Sequence, residues 1–406
     1  MISRLHIKNY KCLHNEDLEF RPLTVLTGTN SSGKSSVLQA ILLLARNLNS
    51  KNRERMYDLV SKYQELLCNV KLIFKDKELL YRSHGSKNRN TDLLTIEDTL
   101  YFLTANRIGP EDIFKLLEEY KVGDNGEYLF KTFARIGHAE WEYIGKDEFE
   151  QWHLDKEDLM NSKKYVESYE GDVYGDNEYM NMFKIYNSMK KIVENENSSQ
   201  KESFPAMELF NHLKKNVQDL YAQKHRSIFS INALVNLWMM RITGVNIKID
   251  TLLQETGYGQ IYFTHDGTDM ISPFNLGSGM SYLAKVLILC FLAKPGDVVM
   301  IENPEIHLHP RAQSRLGEFF AFMAGKGIQL VIETHCEHLL SSLRYQVYKN
   351  RLQPDDVILY YKADDKTPFE QLRINKNGRY MNREGKQCGF PKGFFDVSVR
   401  QLMEIG

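Results

Sequence analysis

Residues 28–35, GTNSSGKS, fit the phosphate-binding pattern G-x-x-x-x-G-K-[ST]. An apolar run at 23–26 precedes them, and a run of helical character at 37–44 follows. A buried strand, a glycine-rich turn and a helix in this order direct backbone N–H groups and a positive helix N-terminus at a phosphate. A chance Gly/Ser-rich turn is the alternative, but the flanking strand and helix favour a site for ATP or GTP. Lys34 is then expected at the β/γ-phosphates and Ser35 at Mg²⁺.

The size and composition of the chain place it among ordinary globular proteins. Its 406 residues suit two or three lobes, and 42% of them are hydrophobic while 26% are charged. No apolar run is long enough to cross a bilayer and no secretory signal is evident, so we expect a cytoplasmic protein without a membrane partner. The five cysteines are scattered, which predicts neither a disulfide framework nor a C-x-x-C zinc site.

The net charge of −1 conceals a segregation of charge along the chain. Lys and Arg exceed Asp and Glu at both ends of the chain, whereas residues 139–200 are acidic. Such asymmetry permits a basic face that contacts DNA, although an ordinary solvated surface is the stronger explanation.

The periodicity of the apolar residues predicts an α/β fold and four segments. Residues 1–110 form the first half of a nucleotide-binding domain that opens with an antiparallel meander, with further strands at 70–74, 78–81 and 99–103. Residues 111–250 read as an inserted helical lobe. Residues 251–361 supply the second half, with helices near 281–294 and 311–324 and core strands at 298–301 and 329–332. Residues 362–406 are expected to form the end of a hairpin and a tail.

Acidic and histidine side chains follow the two core strands of the second half. Glu302 ends the first of them, where a carboxylate would support Mg²⁺ beside the phosphate loop, residues 28–35. Glu305 is a candidate general base, and His335, which follows the second strand, is a candidate for contact with the γ-phosphate.

A second glycine-rich turn, residues 276–281, precedes a helix and supplies another potential anion site. One ATP already has its own loop, so this signature turn is expected to cover the γ-phosphate of a nucleotide bound by another copy. ATP would then join a two-fold dimer. An ordinary helix-initiating turn is the alternative.

The ordered segments IKNYKCL, GTNSSGKSS, NLGSGMS, VVMIENPEIHLHPRAQ and VIETHCEHLL resemble the ABC-type ATPase heads of the structural-maintenance-of-chromosomes (SMC) and RecF class. Among these, they are most similar to the overcoming-lysogenization-defect (OLD) ATPases and to stand-alone, PtuA-like AAA-family ATPases of prokaryotic anti-phage systems. The resemblance is good over 1–48 and 270–345 and poor over 111–250. It implies a head with a mixed core sheet flanked by helices, an antiparallel subdomain and a helical insertion.

The resemblance also implies roles for individual residues. Lys11 would approach the phosphates, Glu302 would support the metal with Ser35, and His335 would be the switch histidine. The residues implied to hold the triphosphate and Mg²⁺ are Asn30, Ser31, Ser32, Gly33, Lys34, Ser35 and Ser36. The signature that acts on the second subunit would be Gly277, Ser278 and Gly279.

This sequence departs from the family pattern at two positions. Asn303 stands where a catalytic glutamate is usual, so either Glu305 takes over or hydrolysis is slow and ATP serves mainly as a dimer switch. Gly277 stands where a serine is usual, so a hydroxyl must come from Ser278 or is missing. The resemblance places His307 and His309 in a segment that contacts the opposing head, which is favoured over a role in metal binding.

The expected function is that of an ATPase that senses or regulates in an anti-phage defence complex, controls a nuclease or other effector, and contacts DNA. OLD nucleases carry a Toprim nuclease domain after the ATPase. Residues 362–406 hold no acidic cluster beyond Asp364 and Asp365, so cleavage is expected to belong to a partner. The alternatives are a RecF-like DNA-repair ATPase and an ATP-dependent scaffold with little hydrolysis.

Overall fold

The computed structural model describes residues 1–46, 69–75, 77–82, 100–105, 113–115, 129–136, 139, 141, 230–253, 258–265, 270–273 and 275–391. The helices and strands of these residues are β1 (Ile2–Tyr10), β2 (Leu13–Glu19), β3 (Leu23–Gly28), α1 (Lys34–Arg46), β4 (Asn69–Phe74), β5 (Lys77–Arg82), β6 (Leu100–Leu103), β7 (Ile113–Lys115), α2 (Leu129–Ile136), α3 (Ile231–Thr243), β8 (Ile247–Leu253), β9 (Tyr258–His265), α4 (Ser278–Leu292), β10 (Val298–Glu302), α5 (Pro310–Gly325), β11 (Gln329–Glu333), α6 (Glu337–Tyr348), β12 (Val357–Lys362), β13 (Glu370–Ile374) and β14 (Tyr380–Met381).

A seven-stranded mixed sheet forms the centre of the molecule, in the order β14-β13-β12-β3-β11-β10-β6. The five strands from β12 to β6 run parallel, and β13 and β14 add to one side in antiparallel orientation. Parallel strands end at the same edge, so the segments that follow β3, β10, β11 and β12 meet there. The phosphate loop follows β3, which makes this carboxyl edge the position of the candidate site.

Successive residues of the parallel strands point to opposite faces of the sheet, and both faces are covered. In β10, Val299 and Ile301 belong to a core shared with α2 to α6, whereas Val298 and Met300 belong to a core shared with α1. All four side chains are fully buried. Burial on both faces explains why these strands read as continuous apolar runs in the sequence.

A four-stranded antiparallel sheet, β2-β1-β4-β5, covers α1 and adds to the second core. Its pairing matches the predicted meander at the start of the chain and the predicted strands at 70–74 and 78–81. The predicted fold class, an α/β domain with a mixed core sheet and an antiparallel subdomain, is confirmed. Within the described residues, every helix is too short or too polar to span a bilayer.

The predicted helical lobe, 111–250, is described only at its two ends, because residues 142–229 lie outside the described residues. At these ends the chain forms strands as well as helices: β7 and β8 pair with β9 in a three-stranded sheet. The predicted boundary at residue 250 falls within β8. Helix α3 packs on α5, where Trp238 meets Phe319 and Phe322 at ring-centroid distances of 5.0 and 5.2 Å. The four domain boundaries stay predictions.

Candidate functional site

The phosphate loop begins and turns at two glycines with positive φ, Gly28 at +140° and Gly33 at +105°. A Cβ on Gly28 would lie 2.0 Å from the backbone oxygen of Lys362, which accepts a hydrogen bond from the Thr29 N–H at 3.1 Å. A Cβ on Gly33 would lie 2.6 Å from the Cys12 sulfur. The loop is therefore pressed between β12 and the β1–β2 turn, and both positions require glycine.

Lys34 begins α1 and is only 3% exposed. Its ammonium donates to the backbone oxygen of Thr29 and to Ser32 Oγ at 3.4 Å. Burial lowers the pKa of Lys34, and the nearby Glu333 carboxylate opposes this shift. The loop thus holds a desolvated cation on its own polar atoms, and phosphate oxygens are suitable replacements for those atoms.

The other predicted phosphate-loop residues divide into exposed and buried positions. Asn30 and Ser31 are exposed, whereas Ser32 is buried and donates from Oγ to the Thr29 oxygen at 2.9 Å. Ser36 is also buried, and its Oγ lies 3.9 Å from the Cys12 sulfur.

Lys11 lies beside α1, where its ammonium donates to the side-chain oxygen of Gln39. Burial lowers the pKa of Lys11. Its predicted contact with a nucleotide would require it to leave Gln39 or to add to that hydrogen bond.

Two glutamates, Glu302 and Glu333, end neighbouring parallel strands in register and form what we call the acidic edge. Glu333 is 4% exposed, and its Oε1 accepts from Ser35 Oγ at 2.8 Å. Glu302 instead accepts from the Ala105 N–H, at 3.1 Å. Burial raises the pKa of Glu333 to about 7, with Glu302 adding to the rise, while the Ser35 hydrogen bond and Lys34 oppose it. The phosphate loop and the acidic edge therefore interact. Ser35 and Lys34 of the loop act on the carboxyl group of Glu333, and so does Glu302.

Glu305 lies next to the segment that follows β11. Its Oε1 accepts from Thr334 Oγ1 at 2.8 Å and from the His335 N–H at 3.1 Å. Partial burial and the Lys34 ammonium lower the pKa of His335, and a hydrogen bond with the Gly28 backbone opposes this. Asn303 has a φ of +42°, and its N–H donates to the Glu333 backbone oxygen at 2.7 Å. The structure thus brings the three predicted catalytic residues, Glu305, Asn303 and His335, to the same edge as the phosphate loop.

The signature turn begins α4, with Gly277 at the N-cap position. Gly277 and Ser278 are exposed, as residues that reach a second subunit need to be. Gly279 packs against the segment after β10, because a Cβ there would lie 2.5 Å from the His307 backbone oxygen. The action of this turn on another subunit stays a prediction.

The histidines of the HLHP segment make local contacts. The His307 ring stacks on Tyr282, with 5.4 Å between centroids, and His309 Nδ1 accepts from the Arg311 N–H at 3.3 Å as the N-cap of α5. Within the described ranges, no group of three His, Cys, Asp or Glu side chains lies close enough to hold a metal ion by itself.

The oxygen donors at the acidic edge nevertheless suit Mg²⁺. This ion prefers one or two carboxylates together with phosphate oxygens and water. Ser35, Glu302 and Glu333 supply a hydroxyl and two carboxyl groups, and Glu333 Oε2 is buried without a hydrogen-bond partner among the described atoms. An ion that arrives with a nucleotide would take its other ligands from phosphates and water.

Sequence reasoning identified Glu302 and Ser35 but gave no role to Glu333. The available signal was positional: Glu333 ends the apolar run 329–332 just as Glu302 ends the run 298–301. Equal placement on two parallel strands puts both carboxyl groups at one edge. Which of them accepts from Ser35 depends on side-chain geometry that the sequence does not specify.

Comparisons with known proteins show the family of the chain. The model of the AAA ATPase domain family matches residues 1–340. OLD nuclease from Thermus scotoductus is 22% identical over 393 residues, which cover 92% of this chain and 66% of that protein. The chain therefore spans slightly less than two thirds of this relative.

Solved structures of SMC heads are also similar to the chain. The Smc head domain bound to the C-terminal domain of ScpA from Pyrococcus furiosus is 14% identical with a TM-score of 0.47, and the match covers 100% of this chain and 99% of that one. The SMC head domain from Thermotoga maritima is 12% identical with a TM-score of 0.39, covering 91% and 97%.

Proposed function

The chain belongs to the AAA ATPase domain family, and from this premise we propose that it binds Mg²⁺ and ATP at the phosphate loop, dimerises around the nucleotide and hydrolyses it slowly. In the cell it would sense or regulate in a prokaryotic anti-phage defence complex, controlling a partner nuclease or other effector and contacting DNA. The single observation that carries the biochemical part is the hydrogen bond from Ser35 to a carboxyl group of the acidic edge, beside the buried Lys34.

Catalysis by such a site consists of positioning and electrostatics. Lys34, which is buried, would neutralise charge that develops on the transferred phosphoryl group. Ser35 and Glu302 would hold the metal. When bound there, Mg²⁺ would supply Lewis-acid chemistry to the transferred phosphoryl group.

The attacking water needs a residue that orients it, and Asn303 carries no carboxylate. We assign this role to Glu305, whose Oε1 accepts from Thr334 Oγ1 and from the His335 N–H at the same edge. These two hydrogen bonds occupy Oε1 of Glu305 in holding residues 334 and 335, which supports a slow rate of ATP hydrolysis. In a phosphate-release assay, Glu305→Gln should reduce turnover about 10²-fold or more, the lower range of a lost general base. Turnover unchanged by this substitution would exclude Glu305 as the residue that orients water.

Dimerisation is supported by the solvent exposure of Gly277 and Ser278 at the start of α4. We expect a non-hydrolysable ATP analogue with Mg²⁺ to convert monomers to dimers in sedimentation experiments. Ser278→Asp would place a negative charge against the γ-phosphate and should prevent this conversion. Ser341→Asp, at an exposed serine of α6, is the matched control and should dimerise normally. Equal dimerisation of both variants would contradict a role of the signature turn.

The role in defence is proposed from the similarity to a protein named OLD nuclease. The nuclease or other effector is proposed to be a separate partner whose action this chain controls. Purification of the native complex should yield a companion effector. A RecF-like repair ATPase would instead show hydrolysis stimulated by DNA in the isolated protein. An ATP-dependent scaffold would bind nucleotide without measurable turnover.

A further inference from the structure

Glu333 is a buried carboxyl group at the acidic edge, and the proposed catalysis, which gives the metal to Ser35 and Glu302, leaves its own role open. Only 4% of it is exposed, and one oxygen accepts from Ser35 Oγ at 2.8 Å. The other oxygen, Oε2, is buried without a hydrogen-bond partner within the part of the chain that the structure describes. Buried polar atoms are nearly always hydrogen-bonded, so an orphaned carboxyl oxygen indicates a partner that arrives from outside.

We propose that Glu333 is a metal-positioning residue, which orients the Ser35 hydroxyl toward Mg²⁺ and presents its second oxygen to the water shell of the ion. The proposal rests on the proposed function, since the ion is the one that accompanies ATP.

The direction of the Ser35 hydrogen bond supports this role. The Ser35 hydroxyl donates a hydrogen bond to Glu333, which leaves the lone pairs of its oxygen available to a cation. Outer carboxylates of this kind fix the orientation of a direct ligand and make it more basic. The hydroxyl is thus already oriented by a group on the neighbouring strand before the nucleotide binds.

The other two glutamates at this edge have different contacts. Glu302 accepts from the Ala105 N–H at the end of β6, and Glu305 accepts from Thr334 and the His335 N–H. Among the described hydrogen bonds, Ser35 donates to Glu333 and to neither of them. The three glutamates therefore have different roles. Glu302 and Glu333 act on the metal, and Glu305 holds Thr334 and the backbone of His335.

The test is the affinity of purified full-length protein for a fluorescent, non-hydrolysable ATP analogue, measured once with Mg²⁺ and once with EDTA. Glu333→Gln keeps the shape of the side chain and removes its charge. We expect the Mg²⁺-dependent gain in affinity to fall by about 10- to 100-fold, the usual effect of losing an outer-shell partner. Affinity in EDTA should not fall, because the substitution removes a negative charge near the phosphates.

A double-mutant comparison separates positioning from a general effect of charge. Because part of the effect of Glu333 passes through the Ser35 hydroxyl, Ser35→Ala with Glu333→Gln should lose clearly less Mg²⁺ dependence than the product of the two single losses. Glu337→Gln, in the first turn of α6, is the matched control, since it removes one negative charge without touching the residues assigned to the metal or the nucleotide, and it should keep the wild-type Mg²⁺ dependence.

Each outcome decides the proposal. If the wild-type protein shows Mg²⁺-dependent binding and Glu333→Gln retains it in full, the positioning role is wrong while the proposed function stands. The same conclusion follows if the fold losses of Mg²⁺ dependence caused by Ser35→Ala and Glu333→Gln multiply in the double variant. A wild-type protein that binds no nucleotide overturns both. Should Glu333→Gln fail to fold, Glu333→Asp replaces it: the side chain is one methylene shorter and should lose Mg²⁺ dependence, and full retention would overturn the proposal.

Discussion

A buried ion pair beneath the phosphate loop offers a quantitative test of how β12 supports the site. Lys362, the last residue of β12, is 1% exposed, and its ammonium lies 2.8 Å from Glu16 Oε1, which is 5% exposed. Lys362 also donates to the Thr367 backbone oxygen, and Glu16 Oε2 accepts from the Phe369 N–H at 3.1 Å. The backbone of Lys362 contacts the loop at Gly28. We consider Lys362→Met, which removes the cation and leaves an unbranched apolar side chain one heavy atom shorter.

The single substitution leaves Glu16 charged, buried and without its cation. Removing one partner of a buried pair costs about 3–5 kcal/mol of stability. In the double variant Glu16→Gln with Lys362→Met, no charge remains, and the glutamine oxygen still accepts from Phe369. What is lost is the hydrogen bond to the Thr367 oxygen, worth about 1 kcal/mol. The double variant should therefore be more stable than Lys362→Met by about 2 kcal/mol or more, although it carries one more substitution.

Chemical denaturation of the nucleotide-free protein, followed by circular dichroism, measures this order of stability. Each transition needs two probes, because a chain of this size can unfold through intermediates. If the loss of unfolding free energy in the double variant equals the sum of the losses in the two single variants, the two charges do not interact and the predicted order of stability is wrong.

Three further predictions concern the loop and its surroundings. Gly33→Ala should reduce both stability and nucleotide affinity, because φ is +105° and the new Cβ would lie 2.6 Å from Cys12; melting curves and analogue titration measure these effects, and an unchanged protein would contradict the loop geometry. Nucleotide should protect the partly exposed Cys12 from iodoacetamide, whereas Cys336, whose thiol pKa burial raises to about 11, should react slowly with or without nucleotide; mass spectrometry distinguishes the two sites. Burial raises the pKa of Tyr360 to about 12, so the unfolded chain loses this proton first and stability should fall as pH rises from about 10 to about 12; denaturation of Tyr360→Phe should lack that component.

Much of the fold was predictable from apolar runs and one motif. The strands at 298–301 and 329–332 are buried on both faces, so their side chains are apolar at every position and the runs are easy to recognise. The phosphate loop is predictable because its chemistry demands glycine at positions such as Gly33 and fixes the element on either side. Strands β7 and β8 were not predicted. They lie in a segment that reads as helical in the sequence. Strand β7 pairs with β9 far along the chain, whereas β8 pairs with β9 as the next strand.

The site was predictable in its parts but less so in its connections. Strand ends revealed Glu302 and the histidine segment, since parallel strands bring their carboxyl ends to one edge. The acceptor for Ser35 proved to be Glu333, and a local pattern does not specify a hydrogen bond across 298 residues of chain. The same holds for Lys362 and Glu16, which pair across 346 residues. Such contacts depend on three-dimensional packing that single-sequence periodicity does not encode.

A structure of the protein with Mg²⁺ and a non-hydrolysable ATP analogue would show the nucleotide and its ligands together. We expect phosphates on the loop of residues 28–35, Lys34 transferred from the Thr29 oxygen to a phosphate, and the ion at Ser35 beside Glu302 and Glu333. The signature turn of a second copy should lie against the γ-phosphate. An analogue bound elsewhere, with Lys34 still on Thr29, would contradict the account.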